Sequence, residues 1–235
     1  MKIYITMAGE SSRFKKAGFS LPKFMLTVKG KTIFEWSMES LSDWFDRYEF
    51  VFILREHSSF VETMCNKLGI VDYSIRVLKS LTLGQAETVY HVLPETDEAI
   101  AIYNIDTYVK NLSQSDMDEL VDGIIPVFSA EGDHWSFIEF DQNYIITQIQ
   151  EKVRISEWAT VGFYYFRSSN DYKKYYEATF NSQFKGEYYI SYIYQSMIRA
   201  NKRLKTTFID PTNLVPLGTP AECQAFDLEF MKNNL

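Results

Sequence analysis

The chain has 235 residues, 46% of them hydrophobic and 23% charged, which suits one large globular domain or two small ones with a sizeable core. A formal net charge of −7 argues against nucleic acid or an acidic membrane as partner, because affinity for a polyanion comes from clustered Lys and Arg; any anion site must be local. Cys65 and Cys223 stand far apart, as do His57, His91 and His134, so no zinc-type ligand spacing is present and a reducing, cytoplasmic setting is expected.

Residues 1–7 carry one lysine and too few apolar residues for a secretory signal, and no stretch approaches the roughly 20 apolar residues of a membrane span. The apolar run at 2–7 predicts a buried first strand, and after a long loop apolar residues at helical spacing predict a helix at 31–44. Strands at 50–54, 73–78, 99–103 and 123–128 alternate with helices at 58–68, 85–93 and 115–120, which argues for a mostly parallel sheet with helices on both faces. The texture changes after Ser129: strands at 135–140, 144–150 and 160–166 read as antiparallel or mixed, with Asp141-Gln142-Asn143 as a hairpin turn. Helices at 172–180 and 188–200, a strand at 204–209 and a helix at 220–232 close the chain. No repeat or linker interrupts it. The expectation is a single α/β domain of Rossmann-like type over 1–235, a mixed sheet flanked by helices, with 1–128 as a nucleotide-binding half and 129–235 as an added cover.

In such a sheet ligands gather at the carboxyl ends of the strands, and the loop after the first strand, MAGESSRFKKAGFSLPK, occupies that place. Small residues Ala8, Gly9, Ser11 and Ser12 allow successive backbone N–H groups to curl toward an anion. Arg13 can fork onto phosphate oxygens, and Lys23, stiffened by Pro22, can approach as a point charge. A solvated surface loop would have the same composition. Two rival phosphate motifs fail: Met25 stands where a P-loop ending in Gly30-Lys31-Thr32 needs glycine, and Gly9 and Gly18 cannot make GxGxxG.

Elsewhere, Asp106 ends an apolar strand in YNIDTYV, where a carboxylate can hold magnesium or simply cap a turn. Gly84 and Gln85 in LTLGQAETV stand at a helix start, with the Gln85 amide able to face a nucleobase or solvent. Glu151-Lys152 and Gly162 lie among aromatic strands, fitting either an acceptor phosphate site or a hairpin with a solvated lysine and a bulge. Glu187 and Tyr189 in GEYYISYIYQ precede a tyrosine stripe that suits a core as well as a site.

The N-terminal loop, followed by Val28-Lys29-Gly30-Lys31 and the helix behind it, resembles the signature loop of the sugar nucleotidyltransferase superfamily, and the similarity extends to LGTPAECQAF near the C-terminus. The resemblance implies that Ala8, Gly9, Glu10, Ser11, Ser12, Arg13 and Lys23 wrap an NTP triphosphate, that Gly84 and Gln85 recognise the base, and that Lys152, Gly162, Glu187 and Tyr189 bind a phosphorylated acceptor. It also implies Mg2+, with Mn2+ as a substitute, held by Asp106, and a reaction in which the acceptor phosphate displaces pyrophosphate, with Arg13, Lys23 and Lys152 as the catalytic cations. Two departures stand out. Ser11 replaces the usual glycine, and Pro216 stands where many members carry a second acidic residue, leaving either Asp210 as a substitute carboxylate or a single ion held mainly by Asp106. Length and a tyrosine-rich second half resemble capsule and surface-polysaccharide cytidylyltransferases, which favours CTP and glycerol phosphate or a similar small phosphorylated alcohol, with a hexose 1-phosphate as the alternative. A glycosyltransferase is disfavoured because Asp106-Thr107-Tyr108 lacks the second Asp of DxD; a non-catalytic nucleotide-binding protein stays open.

Overall fold

A computed structural model describes residues 1–110, 112 and 120–235; the helix expected at 115–120 lies outside the described residues except for Leu120. In chain order the elements are β1 (Lys2–Thr6), α1 (Ser12–Lys16), β2 (Thr27–Val28), β3 (Lys31–Thr32), α2 (Ile33–Glu39), β4 (Glu49–Leu54), α3 (Ser58–Leu68), β5 (Tyr73–Val77), α4 (Gln85–Tyr90) and β6 (Ile100–Asn104). Then come β7 (Thr107–Val109), β8 (Gly123–Ser129), β9 (Ser136–Phe140), β10 (Ile146–Glu151), β11 (Trp158–Thr160), β12 (Phe163–Phe166), α5 (Ser169–Thr179), α6 (Ile190–Arg199), β13 (Leu204–Phe208), β14 (Leu214–Pro216), α7 (Pro220–Phe226) and α8 (Phe230–Asn234).

Ten strands form one mixed sheet in the order β10-β9-β11-β8-β12-β6-β1-β4-β5, with β13 parallel to β8. The block β6-β1-β4-β5 is parallel, and β12 joins it antiparallel to β6, so the sheet changes character where the sequence texture does. Alternation along the parallel strands explains burial on both faces. Ile3, Ile5, Phe50 and Phe52 enter one core with Trp44, while Tyr4, Val51 and Ile53 enter the opposite core with Tyr172 and Tyr194. Each such fully buried side chain contributes about 1.5–3 kcal/mol of hydrophobic stabilisation, and a third cluster, Phe14, Phe19 and Phe230 among its members, seats the C-terminal helices against the N-terminal loop.

Where expected elements come out shorter or divided, identifiable residues account for three of the changes. The helix expected at 31–44 begins at Ile33, because Thr32 Oγ1 accepts from the Glu35 N–H while Glu35 Oε2 accepts from the Thr32 N–H, a complete capping box. The strand expected at 160–166 breaks into β11 and β12 at Val161-Gly162, where Gly162 adopts φ +83°. The helix expected at 220–232 breaks at Asp227, whose extended backbone (φ −134°, ψ 105°) lets its carboxylate accept from the Lys29 N–H at 2.6 Å. The small β7–β14 pairing, Thr107 opposite Pro216, ties the stretch after Asp106 to the C-terminal segment; strands of three residues leave too little pattern to read. Among the described residues no helix is long and apolar enough to cross a membrane.

Candidate active site

The carboxyl ends of β1 and β6, the start of α4 and the rim of the antiparallel half enclose a cleft of about 580 Å³. Ala8, Gly9, Glu10, Ser11, Ser12, Arg13 and Lys23 line it from the N-terminal loop, Gly84 and Gln85 from α4, Asp106 from the end of β6, and Lys152, Gly162, Glu187 and Tyr189 from the second half. Of the residues singled out in the sequence, Asp210 alone lies elsewhere. Its fully exposed carboxylate caps its own turn through the Thr212 N–H at 2.8 Å and the Thr212 hydroxyl at 2.7 Å, which also holds its pKa below the usual carboxylate range. Asp210 is therefore corrected from a candidate metal ligand to a turn cap.

The loop owes its shape to a few bonds. Met7 N–H donates to the Ile53 carbonyl at 2.8 Å, continuing β1 beyond its end, and Arg55 Nε donates to the Ala8 carbonyl at 2.8 Å. Ser11 takes a left-handed conformation, φ 54° and ψ 36°, which glycine adopts without cost. Serine brings something glycine lacks: its Oγ accepts from the Lys23 N–H at 3.1 Å, stitching the two ends of the loop together. The Lys23 ammonium reaches across to Asp106 Oδ2 at 2.5 Å, with both side chains about a quarter exposed.

Around Asp106 the C-terminal LGTP turn fits closely. The Leu217 N–H donates to the Asp106 carbonyl at 2.8 Å, and a Cβ on Gly218 would stand 3.1 Å from Asp106 Oδ2 and 3.5 Å from Glu222 Oε2. Glycine at 218 thus leaves open a niche faced by two carboxylates. Glu222 was not singled out from the sequence; Thr219-Pro220-Ala221-Glu222 has the spacing of a capping box, yet only half of one forms. Thr219 Oγ1 accepts from the Glu222 N–H at 3.2 Å, while the Glu222 carboxylate is turned to Gly218 and to His134, whose Nε2 lies 3.7 Å away.

Gln85 spends both amide hydrogens inside the protein, on Thr6 Oγ1 at 2.9 Å and on Asn104 Oδ1 at 2.6 Å, so its carbonyl oxygen is what remains for a ligand. Asn104, also missed, is admitted by Gly162: a Cβ there would lie 2.5 Å from Asn104 Nδ2. A Cβ on Gly84 would come within 2.5 Å of the Tyr188 backbone, so the absence of a side chain brings the segment before α6 against α4, where the Ala86 N–H bonds to the Tyr188 carbonyl at 2.9 Å.

In the antiparallel half Lys152 adopts φ 54°, and its ammonium donates to the Tyr189 hydroxyl while lying 4.3 Å from that ring's centre; the hydroxyl in turn donates to Glu187. Burial and then the Glu187 bond push the Tyr189 pKa up. Glu151 is anchored by Ser136 and by Ser191 Oγ at 2.8 Å, its Oε1 lying 4.0 Å from Lys152 Nζ. The tyrosine stripe divides as its spacing allows: Tyr189 faces the cleft, and Tyr194 is buried in the core. Both thiols are buried, with pKa values pushed up to about 12 mainly by desolvation, which keeps them protonated and unfit as nucleophiles.

Fold and cleft together define an α/β protein with a mixed sheet flanked by helices and a cleft at the carboxyl ends of its parallel strands, lined by cations and carboxylates of both halves. No protein-family model matches the chain, and a search of curated proteins returned no match. Among solved structures it is similar to the nucleoside-diphosphate-sugar pyrophosphorylase from Vibrio cholerae RC9, at 34% identity over 95% of this chain and 98% of that one, with a TM-score of 0.87. It also shares its fold with the inositol-1-phosphate CTP transferase from T. maritima, at 15% identity over 99% and 95% of the two chains, with a TM-score of 0.79. The chain belongs to the sugar nucleotidyltransferase superfamily.

Proposed function

We propose that this protein transfers a nucleoside monophosphate from an NTP to a phosphorylated alcohol or sugar and releases pyrophosphate. The observation carrying this reading is convergence: Arg13, Lys23, Asp106 and Lys152, dispersed along the sequence, line a single cleft. Bringing an acceptor phosphate onto the α-phosphate of an NTP sets two anions against each other, so neutralisation and alignment dominate the barrier. Arg13 and Lys23 face the triphosphate side and Lys152 the acceptor side. No protein nucleophile is required, since a phosphate monoester is itself one at neutral pH.

Two carboxylates suit a divalent ion that takes its remaining oxygens from substrate and water; among the described residues no three ligating side chains gather. Asp106 and Glu222 offer hard oxygen donors around the niche that Gly218 leaves, whereas Pro216 has no side-chain oxygen and Asp210 is remote. When bound, Mg2+ or Mn2+ would neutralise charge on the triphosphate oxygens.

For substrates we favour CTP and a small phosphorylated polyol such as glycerol phosphate, on the resemblance of the chain's length and tyrosine-rich second half to surface-polysaccharide cytidylyltransferases. A hexose 1-phosphate acceptor is the second reading, favoured by the 34% identical relative described as a nucleoside-diphosphate-sugar pyrophosphorylase. Pyrophosphate release across four NTPs and a panel of phosphorylated polyols and sugars tests both. Release with CTP and glycerol phosphate is expected; release only with a hexose 1-phosphate selects the second reading, and release with no pair rejects the activity.

A further inference from the structure

Lys23 and Asp106, assigned above to the triphosphate and to the metal, are paired with each other. The ammonium lies 2.5 Å from Oδ2, the same oxygen that borders the Gly218 niche. Magnesium binds carboxylate oxygen at about 2.0–2.1 Å. An ammonium and a divalent ion in contact with one oxygen would stand within a few ångströms of each other, with three positive charges against the two negative charges of Asp106 and Glu222 in a partly buried site, so the two cations oppose each other there.

We propose that Lys23 and a divalent cation compete for the Asp106 carboxylate, so that the triphosphate of an arriving nucleotide, by drawing the ammonium away, yields the aspartate to the metal. This rests on the nucleotidyltransferase reading and adds a coupling between its two ligands. The exchange needs no backbone motion. The Lys23 N–H is held by Ser11 Oγ at 3.1 Å, and Lys23 opens the short helical turn Lys23–Met25, so only the side chain has to change rotamer. Ser11 ties that backbone to the loop that lines the triphosphate side, which keeps both partners of the ammonium within its sweep. By linkage the coupling is reciprocal: nucleotide raises affinity for metal, and metal for nucleotide, by the same factor. Metal alone meets an aspartate that is already neutralised.

The test uses the full chain without nucleotide. Mn2+ is titrated in and the free aquo ion counted by electron paramagnetic resonance, for the wild type, Lys23→Met, Lys23→Gln, Asp106→Asn and the double variant Lys23→Met/Asp106→Asn, each checked for folding by circular dichroism. Both Lys23 variants are expected to bind Mn2+ about tenfold more tightly than wild type, within the 5- to 150-fold range of ordinary coupling. Asp106→Asn abolishes binding, and the double variant gains nothing over it. Unchanged or weaker Mn2+ binding in Lys23→Gln, a gain that survives Asp106→Asn, or no measurable binding in any protein overturns the proposal. Failure of the pyrophosphate assay with every substrate pair would reject the enzymatic reading while leaving this competition to stand or fall on the Mn2+ titration.

Discussion

The two lysines of the cleft are held in different ways. Lys23 belongs to the parallel half, where ligand-facing groups sit on loops continuing from strand ends, and its ammonium rests on a single carboxylate, Asp106. Lys152 belongs to the antiparallel half, where it leaves β10 in a left-handed conformation and lies on an aromatic face, bonded to a tyrosine that is bonded to Glu187. The first arrangement is a simple ion pair that a stronger anion or cation can exchange. The second is a relay of three groups in which moving one disturbs the other two. Strand ends supply backbone and small residues beside a single ion pair, whereas the antiparallel half supplies a side-chain wall whose members hold one another in place.

This contrast sets the largest expected effect. Lys23→Ala and Lys152→Ala should each lower kcat/KM by about 10²-fold, the scale of removing one preorganised charge. Lys23→Ala raises the KM for NTP, and Lys152→Ala raises the KM for the phosphorylated acceptor. Steady-state kinetics with each substrate varied separately reads the split; a rise in the same KM for both variants would break the division of labour.

Two glycines sharpen the comparison at the level of stability. Gly84→Ala forces a Cβ to within 2.5 Å of the Tyr188 backbone, which cannot yield without moving α6, and should cost about 2–4 kcal/mol in urea unfolding. Gly162→Ala meets the end of the Asn104 side chain and the strain of φ +83°, about 1–2 kcal/mol, because an amide can turn where a backbone cannot. Equal losses would indicate that Asn104 is as immovable as the chain itself.

The smallest effect is expected far from the cleft. Burial alone would raise the Glu35 pKa, but hydrogen bonds from Lys67 and Thr32 outweigh it and hold the carboxyl below its usual range. A depressed folded-state pKa contributes stability above the unfolded pKa and loses it as pH falls through the folded value. Glu35→Gln should therefore be about 1 kcal/mol less stable than wild type at neutral pH, and the gap should close below pH 4.5, as thermal melts across pH will show.

Much of the fold was legible because burial writes period into sequence. β4 and α3 carry unbroken apolar patterns and came out within a residue of the reading, and the hairpin at Asp141-Gln142-Asn143 announced itself by its turn chemistry, with Asp141 Oδ1 accepting from the Asn143 N–H at 2.8 Å. The β7–β14 pair and the breaks at Gly162 and Asp227 were not legible, since each depends on a contact with a distant segment.

The site divides in the same manner. Local sequence determined the cation-bearing loop after β1, because strand, small residues, Arg13, Pro22 and Lys23 are contiguous. Only the tertiary structure decided that Asn104 fixes Gln85, that Ser11 holds Lys23, and that Asp210 is a turn cap. The motif Thr-x-x-Glu occurs at Thr32–Glu35 and again at Thr219–Glu222, and from sequence the two are equivalent. Packing separates them: the first carboxylate turns back on its own helix and Lys67, while the second faces Gly218 and the cleft, since the direction of a side chain is set by what lies across the space beside it.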